Sequence, residues 1–285
     1  PGASQETGRP GARAVPPASA RGARIPQDIM ARPLAIHAAA AGGTFRLSPP
    51  QTPADPRLAA AILSLLRGDV PAVSAPLEDI EACLRRYECG GYLHTMWSDA
   101  GRLESLPGAW PEALRLAHRK TVLDNLAALG EWRRIGRHLA EEKVPSILLK
   151  GCAYLLDLYP DPGARRLTDI DLLIARSDAG RIARRLAGAG YRGEIGEHFP
   201  ENRRFEMWYQ GSAHCRFEFH WSLGLPLRSG LNLEGIWTRS LPAFLEGVFC
   251  RRLAPEDAVL YHALHAADHY FGPSLKWAID LREMF

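Results

Sequence analysis

The chain has few cysteines, and they follow no pairing pattern. Five occur among 285 residues, and no two of them stand at the C-x-x-C spacing. They are Cys83, Cys89, Cys152, Cys215 and Cys250. This scatter argues against a disulfide framework and against a structural zinc site. It is typical of a protein kept in a reducing cytoplasm, where we expect this one.

Other absences narrow the class of protein further. No apolar run approaches the roughly 18 residues that cross a bilayer, so no membrane segment is predicted. The serine-hydrolase motif G-x-S-x-G and the P-loop motif G-x-x-x-x-G-K-[ST] are both missing. The formal net charge is only +3, and no strong nucleic-acid signature accompanies it.

Residues 1–55 are rich in proline, glycine, alanine and arginine and show no sustained apolar period. We expect this arm to be disordered, because it has too few apolar side chains to form a core. Its positive charge comes from Arg9, Arg13, Arg21, Arg24, Arg32 and Arg46. Such an imbalance on a tail is typical of a solvated segment.

Apolar residues at helical spacing predict an N-terminal helical region over residues 56–143, with a long helix beginning at Pro111. The pattern is helical again from Pro255, and we expect residues 223–285 to form a C-terminal helical region. That pattern still holds at Phe285, and the chain lacks an initial methionine. We therefore expect this region to be truncated, and the sequence leaves open whether the chain is a fragment.

Between these regions, residues 144–222 alternate short apolar segments with helical ones. The predicted strands lie at 144–150, at 169–174, from Tyr191 and around Glu218. A helix is predicted from Ser177, which would serve as its N-terminal cap. This order predicts an α+β fold, in which a small mixed β-sheet core is flanked by N-terminal and C-terminal helical regions.

Two aspartates stand one residue apart on an otherwise apolar strand. Successive side chains of a strand alternate faces, so Asp169 and Asp171 point the same way, roughly 7 Å apart along the backbone, while Ile170 and Leu172 point into a core. Two neighbouring like charges repel each other, which favours a divalent metal between them. The same spacing is equally typical of two solvated aspartates at a sheet edge.

A third carboxylate occurs in a matching context. The segment 215–221 alternates polar and aromatic residues, so Glu218 and His220 share one face and the aromatic side chains the other. Three carboxylates from two adjacent strands suit hard cations such as Mg²⁺, which take oxygen ligands. His220 either borders this site or is a hydrogen-bonded structural histidine, and the sequence leaves both open.

Linked in this order, the motifs resemble the nucleotidyltransferase superfamily with the DNA polymerase β-like palm. The finer match is to the bacterial uncharacterised nucleotidyltransferase family NTP_transf_5, from about Thr121 to the C-terminus. The matching segments are Leu149-Lys150-Gly151, Tyr159 to Arg165, Asp169 to Leu173, Gly190-Tyr191 and the Glu218-His220-Trp221 strand. The chain has Lys-Gly at the first turn, where many superfamily members have Gly-Ser or Gly-Gly.

The resemblance implies transfer of a nucleoside monophosphate from an NTP, ATP foremost, to a hydroxyl-type acceptor. The acceptor is a small molecule, a peptide or protein, or an RNA end. Asp169 and Asp171 would hold two Mg²⁺ ions, with Mn²⁺ as an alternative, and Glu218 would complete the acceptor-side ion. The alternative function is a catalytically silent nucleotide- or metabolite-binding module on the same fold.

The resemblance also implies a phosphate-binding side of the site, formed by Lys150, Gly151 and Arg165. Gly151 would let the backbone approach a phosphate closely. Lys150 could face either side of its strand. Arg165 would grip a phosphate oxygen or form a salt bridge that orients Asp171, and the sequence favours neither.

One histidine cluster stands outside these motifs. His265 and His269 are four residues apart, as zinc ligands on one helix face would be, and His262 precedes them. No glutamate lies between them in the H-E-x-x-H manner, and the sequence offers no obvious third ligand. Packing of this helix against the sheet is the favoured interpretation, and the role of the three histidines stays open.

Overall fold

The computed structural model of the protein describes residues 55–194, 204–209, 215–223, 231–268 and 274–285. These segments belong to one compact unit that spans Thr52–Phe285. The arm predicted to be disordered lies outside the described residues except for its last position, and so does His269.

The N-terminal part of the described chain is helical. Its helices are α1 (Pro56–Leu66), α2 (Leu77–Tyr87), α3 (Gly90–Asp99) and α4 (Trp110–Glu141), with a 3-10 turn at Leu103–Ser105. Pro111 lies in the first turn of α4, where the N–H that proline lacks would have no partner within the helix. No helix in the described segments is long and apolar enough to cross a membrane.

Seven strands of the described residues form one mixed sheet. They are β1 (Ile147–Leu149), β2 (Asp169–Leu173), β3 (Tyr191–Glu194), β4 (Arg204–Tyr209), β5 (Arg216–His220), β6 (Leu241–Leu245) and β7 (Val248–Arg252). Their order across the sheet is β3-β4-β5-β2-β1-β7-β6. β2 pairs with β5 in parallel and with β1 antiparallel. The predicted α+β fold with a mixed sheet is confirmed.

The remaining helices of the described residues follow β1 along the chain. They are α5 (Lys150–Asp157), α6 (Arg176–Gly188), α7 (Leu233–Arg239), α8 (Pro255–Asp268) and α9 (Lys276–Glu283). The cap predicted for α6 is wrong. Ala175 occupies the N-cap position without a side-chain hydrogen bond, and Ser177 already lies within the first turn.

The apolar side chains of the two sheet faces pack on different helices. On one face, Ile170 and Leu172 of β2 form a cluster with Trp132 of α4. On the other face, Leu173 clusters with Tyr261 of α8. Full burial of such a side chain contributes about 1.5–3 kcal/mol, so both layers stabilise the position of β2.

The prediction of a helical region over residues 223–285 is wrong at β6 and β7. These strands form a hairpin whose two turn residues, Glu246 and Gly247, have φ angles of 52° and 76°. Positive φ at both positions favours the twist of a tight hairpin, but Glu-Gly lacks the Asn-Gly or Asp-Gly signal that identifies such a turn. The predicted boundaries at residues 143 and 222 stay a prediction.

Asn125 of α4 fixes the segment that leads into β2. Its side chain is fully buried, and its Nδ2 donates to the carbonyls of Pro162 at 2.6 Å and Arg165 at 2.7 Å. Its Oδ1 accepts from the backbone N–H of Leu167 at 2.8 Å. A buried backbone group without a partner is costly, so this amide stabilises a loop that carries no regular structure.

We expect Asn125→Ala to lower the free energy of unfolding by about 3 kcal/mol, since three backbone groups, two of them in buried hydrogen bonds, lose their partner. Urea denaturation measures this change. Leu126→Ala is the matched control on the same helix: its side chain is 56% exposed, so we expect an effect within about 0.5 kcal/mol. Equal effects of the two substitutions would contradict the role of Asn125.

Candidate active site

The pairing of β2 with β5 brings acidic side chains together. In this parallel pair Asp171 stands directly opposite Glu218, and Asp169 precedes Asp171 by two residues on the same face. The intervening Ile170 and its partner Phe217 are fully buried on the opposite face. The strands therefore carry three carboxylates along one face of the sheet.

These carboxylates line a cavity of about 160 Å³, here named the acidic cavity. All six residues predicted for the site border it, namely Lys150, Gly151, Arg165, Asp169, Asp171 and Glu218. Helices α8 and α9 also contribute to its wall, through residues that the sequence motifs did not indicate. These are His262, His265, Lys276, Trp277 and Asp280.

Within the acidic cavity, Asp171, Glu218 and His220 form a compact cluster whose ligand atoms all lie within 4.8 Å of one another. His220 Nε2 is 2.9 Å from Asp171 Oδ1 and 3.3 Å from Glu218 Oε2. The two carboxylates fit a hard divalent ion, whereas an imidazole nitrogen is more typical of a softer metal. Asp169 borders the same cavity but is not part of the cluster.

Lys150 supplies a second positive charge to this cluster. It is the first residue of α5 and not part of the strand that was predicted to include it, and its Nζ lies 2.8 Å from Asp171 Oδ1. Its backbone has a φ of 46°, a left-handed conformation that costs a residue other than glycine roughly 1–2 kcal/mol. Such strain persists where the surrounding structure requires it, often at functional sites.

The two aspartates differ in their electrostatic surroundings. Burial raises the pKa of Asp169, and the neighbouring Asp171 charge raises it further. Burial acts on the pKa of Asp171 in the same direction, but Lys150 and His220 outweigh it and hold that pKa well below its usual range. Burial lowers the pKa of His220, but its hydrogen bonds to Asp171 and Glu218 produce a net rise. The cluster therefore favours an ionised Asp171 beside a protonated His220.

Arg165 has a partner that neither sequence interpretation anticipated. Its Nε and Nη2 donate to the two carboxylate oxygens of Asp280, each at 2.7 Å. Asp280 lies on α9, is fully buried, and also accepts from the Tyr159 hydroxyl at 2.7 Å. The alternative of a salt bridge to Asp171 is therefore corrected. The actual partner lies 115 residues away in sequence, and no local pattern reveals it.

Gly151 provides room for this arginine. A Cβ atom at Gly151 would collide with Arg165 Nη1, so any larger residue would displace the guanidinium. A close approach to Gly151 was predicted for a phosphate, but in the structure the Arg165 side chain makes it. A phosphate contact of the Gly151 backbone stays a prediction.

The histidines of α8 have separate surroundings. His262 is buried, with Nδ1 at 3.1 Å from the Tyr154 hydroxyl and Nε2 at 2.8 Å from the Trp277 carbonyl. Both of its ring nitrogens are thus engaged by the protein, which favours the packing interpretation. His265 borders the acidic cavity, and its ring lies 5.7 Å from that of Trp277.

A model of the uncharacterised nucleotidyltransferase family matches residues 76–285. Curated protein sequences give no match.

Solved structures give weaker similarities. The lincosamide antibiotic adenylyltransferase LnuA, bound to lincomycin, is 16% identical, with 54% of this chain and 94% of that chain covered and a TM-score of 0.39. ANT(2'')-Ia in complex with adenylyl-2''-tobramycin is 15% identical, with coverages of 55% and 86% and a TM-score of 0.41. A Thermotoga maritima protein described as a nucleotidyltransferase is 16% identical, with coverages of 53% and 92% and a TM-score of 0.38.

We expect either Asp280→Asn or Arg165→Met alone to lower the free energy of unfolding by about 3–5 kcal/mol, because each leaves one buried partner without its counter-charge. The double variant should lose less than the sum of the two, which a double-mutant cycle in urea measures.

The matched control is the neighbouring Arg166, whose side chain is 45% exposed and pairs with Asp124. Arg166→Met should cost less than about 1 kcal/mol. Additive single effects at Arg165 and Asp280 would show that the pair is not coupled.

Proposed function

Because the chain belongs to the uncharacterised nucleotidyltransferase family, whose model matches residues 76–285, we propose that it transfers a nucleoside monophosphate from an NTP to a hydroxyl-type acceptor with Mg²⁺ as cofactor. The observation that carries this proposal is the convergence of Asp169, Asp171 and Glu218 on one cavity. ATP is the proposed donor, and Mn²⁺ an alternative metal. The acceptor is a small molecule, a peptide or protein, or an RNA end.

The proposed chemistry is in-line attack of the acceptor hydroxyl on the α-phosphorus, with pyrophosphate as the leaving group. Such a reaction needs positioning and charge neutralisation more than covalent participation by the protein. Two bound Mg²⁺ ions would supply Lewis-acid stabilisation of the attacking and leaving oxygens. Asp169 and Asp171 are proposed to hold both ions, and Glu218 to complete the acceptor-side one.

The remaining steps belong to side chains of the protein. Glu218 is proposed to accept the proton of the attacking hydroxyl. His220 donates toward Asp171 and Glu218, and this contact limits the motion of both carboxylates. Lys150, which lies 2.8 Å from Asp171, is proposed to carry positive charge at the phosphate side of the cavity.

The runner-up function is a catalytically silent nucleotide- or metabolite-binding module. A binding module needs no set of three carboxylates, since like charges in a partly buried cavity repel each other and cost desolvation. The presence of all three acids around the acidic cavity therefore supports the enzyme over the silent module.

We expect the wild-type protein with Mg²⁺ and an α-labelled NTP to release pyrophosphate and label an acceptor from a panel of small molecules, peptides and RNA. Asp171→Asn should reduce the rate by roughly 10³-fold or more, because it removes an ionised metal ligand from the transition state. Asp157→Asn is the matched control, since Asp157 lies on α5, is 45% exposed and does not border the acidic cavity.

Mn²⁺ binding, followed by electron paramagnetic resonance, gives a readout that needs no acceptor. Asp171→Asn should weaken it by at least about tenfold while Asp157→Asn leaves it unchanged. Thermal melting verifies that each variant is folded. Identical rates and identical Mn²⁺ affinities for wild type and Asp171→Asn would sink the proposed function.

A further inference from the structure

A triphosphate and the three carboxylates of the acidic cavity together carry more negative charge than two Mg²⁺ ions balance, so nucleotidyl transfer at this site also calls for cationic side chains. Among the described residues, three lysine or arginine side chains border the acidic cavity: Lys150, Arg165 and Lys276. Their existing partners differ, and these partners determine which of the three is available to a substrate.

Two of these cations are held by fully or nearly fully buried acids. Lys150 Nζ lies 2.8 Å from Asp171, which is 2% exposed. Arg165 uses two of its nitrogens on Asp280, which is completely buried. Separating either pair would leave an uncompensated charge in the interior, and such a change is strongly unfavourable.

Lys276 is held more loosely. Its Nζ lies 3.2 Å from both carboxylate oxygens of Glu88, whose side chain is 21% exposed. An ammonium has three N–H donors, and a single carboxylate cannot use all of them. Glu88 can be hydrated when the pair separates, so exchange of this carboxylate for another anion costs less than at the other two pairs.

The end of α2 positions this lysine beside the cavity. Glu88 has a φ of 52° at the C-cap of α2, a conformation in which glycine would cost less. The backbone N–H of Leu275 donates to the carbonyl of Tyr87 at 3.0 Å, which ties the start of α9 to the same helix end. A backbone contact and an ion pair therefore fix the position of Lys276 at the border of the acidic cavity.

We propose that Lys276 binds the β- and γ-phosphates of the NTP, exchanging its contact with Glu88 for phosphate oxygens when the substrate enters. This inference rests on the proposed function and adds a substrate-binding residue from the C-terminal helix α9. A residue that binds the polyphosphate contributes equally for every base, and it contributes little for a nucleoside monophosphate.

The probes are tripolyphosphate, the four NTPs and AMP, each titrated calorimetrically into the full chain with Mg²⁺. We expect Lys276→Gln to weaken tripolyphosphate and all four NTPs by roughly 10- to 100-fold, the loss typical of one charged hydrogen bond. AMP affinity should change by less than about twofold, as expected for a ligand that lacks the β- and γ-phosphates.

Two further variants separate binding from structure. Lys276→Arg keeps the charge and should restore most of the affinity lost in Lys276→Gln. Lys120→Gln is the matched control, because Lys120 likewise pairs with an acid, Asp124, but is 61% exposed and does not border the acidic cavity. Its affinities should equal those of the wild type, and thermal melting verifies the fold of all three variants.

The outcomes distinguish this inference from the function on which it rests. Wild-type binding of tripolyphosphate that Lys276→Gln leaves intact overturns the role of Lys276 alone. A loss confined to one base, or an equal loss for AMP, also overturns it, because either result places Lys276 at the nucleoside. A wild-type protein that binds neither NTPs nor tripolyphosphate overturns the proposed function together with the inference.

Discussion

The parallel register of β2 and β5 is the constraint on which the candidate site depends. It sets Asp171 opposite Glu218, so two carboxylates face one another across adjacent strands. Two negative charges on directly opposed residues of adjacent strands would destabilise the sheet unless positive charge lay beside them. Lys150 and His220 meet this requirement, since both place a nitrogen within 3 Å of Asp171 Oδ1. The left-handed backbone of Lys150 is thus explained by what its side chain must reach.

A second layer of interactions connects this sheet to the C-terminal helix. Asp280 accepts hydrogen bonds from Arg165 and Tyr159, which both lie on the segment between α5 and β2. This buried network fixes α9 against the loop that leads into β2. It thereby sets where Lys276 borders the acidic cavity. Because separating a buried ion pair is strongly unfavourable, this contact restricts the displacement of α9 relative to that loop.

The sequence predicted those parts of the site that follow from local alternation. The two-residue period of the strands gave the shared face of Asp169 and Asp171 and the aromatic face opposite Glu218. It could not indicate Asp280 or Lys276, because their contacts join positions more than a hundred residues apart. Local periodicity carries no information on such pairs. The β6–β7 hairpin was missed for a different reason, since its turn lacks the usual residue signal.

The charges of the acidic cavity differ in how completely the protein compensates them. Asp171 has Lys150 and His220, and Asp280 has Arg165. Asp169 instead accepts a hydrogen bond from the neutral Thr168 hydroxyl at 3.1 Å, and burial raises its pKa. A carboxylate in that state gains more from an arriving cation than one already paired, because the cation relieves both its desolvation and its repulsion by Asp171. A cation bound at the proposed metal site would therefore change the electrostatics of the cavity most at Asp169.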